Sequence, residues 1–247
     1  MSFFRRLSAL VVGLSLIQAP IAFAAAGSPP NAPSELGMES GLIPCVVGSG
    51  RPFVHTRTPE LRALLTDEDG SWMDAGFRVL RGTAENHTWD GNEQRVTSVP
   101  SGSVASVTVS PGVVEDGQVY TWHLWAGDDS GRTWSRFCEF EVDSVAPGKP
   151  SVSSVEYPEA TPTLGVGRPG TFTFRANGNA DVQHYLYSFS GDGANPSTRV
   201  DASGLGGEAS VTWAPTKEGT TFLTVRSVDR AGNRSPIYWY EIRVLFS

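Results

Sequence analysis

The sequence predicts an all-β protein of two tandem β-sandwich domains, and three observations carry that reading. Short apolar runs alternate with polar positions between turn residues, sustained helical periodicity is missing, and one half of the chain matches the other at an offset of 101 residues. Composition agrees. The 27 Gly and 17 Pro supply turns, and seven Trp, six Tyr and twelve Phe supply the apolar bulk that disordered chains lack. The 19 basic and 26 acidic residues leave a net charge of −7, which argues against a nucleic-acid partner. A length of 247 residues suits two domains of about 100 residues each.

The elements follow in chain order. Residues 1–26 read as an export signal peptide, with Arg5 and Arg6 before a mostly apolar stretch from Leu7 to Ile21. Ala22-Phe23-Ala24 and Ala24-Ala25-Ala26 then offer small-x-small cleavage sites. The apolar stretch falls short of the ~20 residues a membrane span needs. No Cys follows directly on the cleavage region, and no second hydrophobic segment lies near the C-terminus. The expectation is a secreted, extracellular chain with no membrane span in its mature form.

Residues 27–35, rich in Pro, Ala and Ser, read as a flexible lead-in. Residues 36–143 carry the first set of alternating runs: Leu61, Ala63 and Leu65; Ala75, Phe77 and Val79; Val107 and Val109; Tyr120, Trp122, Leu124 and Ala126; Cys138, Phe140 and Val142. Residues 144–150 form a linker stiffened by Pro147 and Pro150, with Gly148 as its one soft point. Residues 151–247 repeat the order through Phe172 and Phe174, Tyr185 and Tyr187, Ala209 and Val211, Leu223 and Val225, and Tyr240 and Ile242. The best internal match sets Trp122–Gly131 against Leu223–Gly232, a repeat of domain size rather than a solenoid unit.

Several segments resemble a known family. Val114-Glu-Asp-Gly117-Gln-Val-Tyr120 resembles the Leu-x-Pro-Gly-x-x-Tyr corner of fibronectin type III modules, with Val for Leu and Asp for Pro. The resemblance implies that the Tyr120 hydroxyl bonds back across the corner. In the second half Gly219-x-x-Phe222 stands in the same place, where Phe has no hydroxyl and packing alone would hold the corner. Val142-Asp143-Ser144-Val145-Ala146-Pro147 and Asp229-Arg-Ala-Gly-Asn-Arg-Ser235 resemble the joint and final hairpin of tandem immunoglobulin-like modules in secreted bacterial proteins. Such modules serve as spacers, adhesion units and accessory domains, so the resemblance implies fold more than activity.

Export places the only two cysteines, Cys45 and Cys138, in an oxidising compartment that favours a disulfide between them. Two buried free thiols are the alternative. In immunoglobulin-like sandwiches the first and last strands run side by side and parallel, and a bridge there would staple the ends of the domain.

The sequence holds no Gly-x-Ser-x-Gly, no His-Glu-x-x-His and no phosphate loop, and its four histidines stand far apart. No enzyme is expected. Two classes remain: a non-catalytic structural or adhesive module that contacts an extracellular protein, and a carbohydrate-binding accessory that contacts a polysaccharide.

On the strand through Tyr120, Trp122 and Leu124 point inward, so His123 and Trp125 point out. With Trp134 they form a candidate ligand platform, unless a neighbouring loop covers Trp125. At the joint, Asp143 should meet Asn177, Asn179 and Asp181 of one loop and Asp229 and Asn233 of another. Their oxygens suit calcium, the one cofactor considered. The same side chains serve equally as ordinary turn residues.

Overall fold

The computed structural model describes residues 27–70, 72–163, 165–189 and 195–245, and the expected export signal lies outside them. Eleven strands precede the linker: β1 (Ser34–Met38), β2 (Ile43–Pro44), β3 (Phe53–Val54), β4 (Glu60–Leu65), β5 (Trp72–Gly82), β6 (His87–Thr88), β7 (Glu93–Pro100), β8 (Ser103–Thr108), β9 (Val119–Asp128), β10 (Gly131–Trp134) and β11 (Cys138–Val142). Eight follow it: β12 (Ser151–Ser153), β13 (Pro162–Thr163), β14 (Gly170–Arg175), β15 (Val182–Ser188), β16 (Thr198–Asp201), β17 (Ala209–Trp213), β18 (Gly219–Asp229) and β19 (Tyr238–Val244). Among the described residues there is no α-helix; two 3-10 turns lie at Glu39–Gly41 and Gly48–Gly50.

Each half is a sandwich of two sheets. In the first, β2-β1-β4-β8 faces β3-β11-β9-β5-β6, with β10 also paired to β9 and β7 to β5. In the second, β12-β14-β17 faces β13-β19-β18-β15-β16. Period-two alternation puts Leu61, Ala63 and Leu65 of β4 against Phe77 of β5 and Trp122 and Leu124 of β9 in one core. Phe172, Phe174, Tyr185, Leu223, Tyr240 and Ile242 fill the other.

The tyrosine corner forms: the Glu115 N–H donates to the Tyr120 hydroxyl at 2.9 Å, and Gly117 turns the chain at φ +69°. The second corner differs from expectation. Leu223 and Val225 take the inward positions of β18, so Phe222 faces outward and meets Trp239 edge to face at 6.1 Å. Two other hydroxyls brace that sandwich, Tyr157 donating to the Arg168 carbonyl at 2.6 Å and Tyr240 to the Tyr157 carbonyl at 2.7 Å.

Cys45 and Cys138 form a disulfide with 4.9 Å between their Cα atoms. The strand arrangement around it departs from expectation. It is β3 that runs parallel to β11, whereas the segment carrying Cys45 meets Glu139 in an antiparallel bridge at Val46. The lead-in is docked rather than loose. The Ser28 N–H donates to Asp69 Oδ2 at 2.7 Å, the Asn31 N–H donates to the Thr66 carbonyl at 3.0 Å, and Pro30 and Pro33 are buried.

Candidate functional site

The outer face of the larger first sheet is a lattice read directly from register. Because side chains alternate, Trp72, Asp74, Gly76 and Arg78 of β5 share that face across the irregularity between Met73 and Ala75. Across the strands, Gly76 pairs with Arg95 on β7 and Trp125 on β9, and Trp125 pairs with Trp134 on β10. Arg78 pairs with Glu93 and His123, while Gly127 pairs with Asp74 and Arg132.

Two glycines in this lattice act as sockets. A Cβ built at Gly76 would fall inside the Trp125 indole, and one at Gly127 would stand 2.7 Å from the Arg132 side chain. Trp125 therefore lies flat over β5. The Arg132 guanidinium covers it at 4.0 Å and that of Arg95 at 5.5 Å from the ring centroid, and its N–H donates to Glu93 at 3.2 Å.

This corrects the platform expectation. Trp125 points outward as its phase requires, yet it is only 2% exposed, covered by arginines rather than by a loop. His123 is half-buried, stacked between Trp134 at 4.7 Å and Phe137 at 4.6 Å. Burial, with the Arg78 cation and His87 nearby, lowers its pKa to about 4, so the ring is neutral near pH 7. Arg78 lies between Trp89 at 4.5 Å and Trp134 at 4.6 Å. Arg78 and Arg95 both reach Glu93, at 2.7 and 2.8 Å. Burial alone would raise the Glu93 pKa, but the hydrogen bonds from Arg78, Arg95 and Trp125 outweigh it and hold the carboxylate below its usual range.

Trp72, Trp89 and Trp134 remain open to solvent, at 65%, 51% and 40% exposure. Beside Trp72 is a cleft of about 530 Å³. Trp72, Trp89 and the arginines escaped the sequence reading. The available signal was a glycine at an outward strand position, which leaves room for a ring from a neighbour.

At the joint, the Asp143, Asp181 and Asp229 carboxylates lie within 4.8 Å of one another. Burial first, then the charges of Asp229 and Asp181, raise the Asp143 pKa. The three amides do other work. Asn177 donates to the Lys149 carbonyl at 3.1 Å, and the Asn179 side-chain oxygen accepts from the Gly148 N–H at 2.9 Å. Asn233 donates to the Asp143 carbonyl at 2.7 Å and to Asp229 at 2.9 Å. Ser227 donates to the Gly148 carbonyl at 2.9 Å, so the expected soft point is pinned on both its peptide groups. The arrangement thus splits the six expected ligands into a carboxylate trio and three amides that clamp the backbone of Asp143, Gly148 and Lys149.

No protein-family model matches the sequence, and no curated protein matches it. The structure is similar to the FN1–FN3 domains of chicken CNTN1, with a TM-score of 0.52 and 14% identity over 88% of this chain and 67% of that one. The fibronectin(III)-like modules of Clostridium thermocellum CbhA give a TM-score of 0.49 and 13% identity, over 81% of this chain and 93% of that one. The chain has the fold of tandem fibronectin type III-like sandwiches. At such identity the likeness extends to fold and not to ligand.

Proposed function

We propose that the chain is an extracellular, non-catalytic structural and adhesive module that presents the outer β7-β5-β9-β10 face of its first sandwich to a partner. The observation that carries this reading is the gathering of exposed Trp72, Trp89 and Trp134 on one side, interleaved with Arg78, Arg95 and Arg132. Aromatic residues and arginine are the types enriched at binding hot spots, and a concentrated aromatic surface marks a contact site. The half-buried, neutral His123 packs as a spacer between rings, which suits a rigid recognition face rather than proton transfer. The disulfide is consistent with an oxidising, extracellular setting.

The test is attachment of the labelled mature chain to intact cells of the producing organism and to their extracellular matrix. Replacing Trp72 and Trp89 together by Ala should weaken attachment at least tenfold. Trp239→Ala, at an exposed indole of the second sandwich, should leave it unchanged. Undiminished attachment of the double variant would overturn the reading.

A further inference from the structure

The cleft beside Trp72 is bounded by the start of β5, by β7 and by the β9–β10 hairpin. From its lining we infer that it is a subsite for a sugar ring of a neutral polysaccharide. This rests on the proposed recognition face and names what that face takes.

Chemistry distinguishes the ligand classes. The cleft gathers carboxylates from Asp74, Asp128 and Asp129 with guanidinium groups from Arg95 and Arg132, and Trp72 stands at its margin. A wholly apolar ligand would strip water from these charges and return no hydrogen bonds. An anionic ligand would face three carboxylates, and a cationic one would face two guanidinium groups. A hydroxyl both donates and accepts, so a ring carrying several hydroxyls can serve both kinds of group at once. The exposed indole of Trp72 offers the flat apolar surface that the C–H face of a pyranose covers. The volume of about 530 Å³ falls in the range of small-molecule sites, roughly 300–1,000 Å³.

Four of the five charged groups, Asp74, Asp128, Arg95 and Arg132, are held before any ligand arrives. Asp128 accepts from the Ser130 and Gly131 N–H groups at 2.8 and 3.2 Å, and Asp74 accepts from the Ser98 N–H at 3.0 Å. Arg95 is fixed by Glu93 at 2.8 Å, and Arg132 is seated on Trp125 at 4.0 Å. Asp129 is exposed and makes no ion pair among the described residues. A cleft organised in this way loses little side-chain freedom on binding. Trp134 lies directly across from Trp125 on the same face and offers a second ring to an extended chain.

The experiment titrates the mature protein with cellohexaose, laminarihexaose and mannohexaose, with polygalacturonate as the anionic comparison. Binding is read by tryptophan fluorescence and calorimetry. At least one neutral hexasaccharide should bind saturably, and Trp72→Ala and Asp129→Ala should each weaken it at least fivefold with the melting temperature unchanged. Trp239→Ala should bind as the parent does. No neutral hexasaccharide binding, binding that Trp72→Ala leaves intact, or binding of polygalacturonate alone would each overturn the assignment. If the sugars fail while cell attachment still depends on Trp72 and Trp89, the recognition face stands and only its ligand class falls. If both fail, both proposals fall.

Discussion

Gly76 and Trp125 are locked together: the indole occupies the space a side chain on β5 would fill, and Arg132 closes over it. Replacing Gly76 by Ala should therefore overpack the outer face and cost about 1–3 kcal/mol, read by urea unfolding. Trp125→Ala should cost about 3 kcal/mol, because a side chain on the outer face is here as buried as one in the core. The two changes should be strongly non-additive, since removing the indole removes the clash, and simple additivity would contradict the socket. This is also where the sequence was least legible. Outward phase could be read from the alternation of Tyr120, Trp122 and Leu124, but exposure could not. Whether Trp125 can lie down onto the sheet depends on which residue of β5 lies opposite it, and a one-residue slip in register would have offered Ala75 or Phe77 instead of Gly76.

The β9–β10 hairpin carries a pH signature. His123 sits between Trp134 and Phe137, and burial with nearby positive charge lowers its folded pKa from 6.5 to about 4. Between those values the unfolded chain binds more protons than the folded one, so stability is present above pH 6.5 and is lost as pH falls towards 4. Denaturant midpoints across this window should fall on acidification, and His123→Phe, which keeps a ring in the stack, should flatten the slope. An unchanged slope would remove His123 from the account. Elements of this kind were legible wherever a local pattern defines them: the corner at Gly117 and Tyr120 and the alternating strands are short-range features. The second corner was misread because Gly219-x-x-Phe222 imitates the motif one position out of phase. The 101-residue offset puts Thr221, not Phe222, opposite Tyr120, and burial of Leu223 decides the phase.

For the molecule as a whole, the joint is held through backbone groups of Asp143 and the linker, gripped by Asn177, Asn179, Ser227 and Asn233. The carboxylate trio works against that grip. Asp143 has a folded pKa raised above its unfolded value, so its ionisation lowers stability as pH rises through the carboxylate range. Asp143→Asn should raise the melting temperature at pH 7 by about 2–4 °C, with or without a chelator. A calcium-dependent rise in the parent that the variant lacks would instead assign the trio to a bound cation. Reduction of the Cys45–Cys138 bridge should lower the stability of the first sandwich by about 4–5 kcal/mol in the chain-entropy model, measured against a Cys45→Ala/Cys138→Ala variant that reduction leaves unchanged. The same bridge governs how the protein bears tension. A pull applied to the two ends of the chain passes across the sulfur–sulfur bond, and the 93-residue span between the cysteines never enters the loaded path. At roughly 3.5 Å per residue, about 320 Å of chain is withheld from extension. Under load the first sandwich can release only the residues outside the bridge, and the second supplies most of the extension.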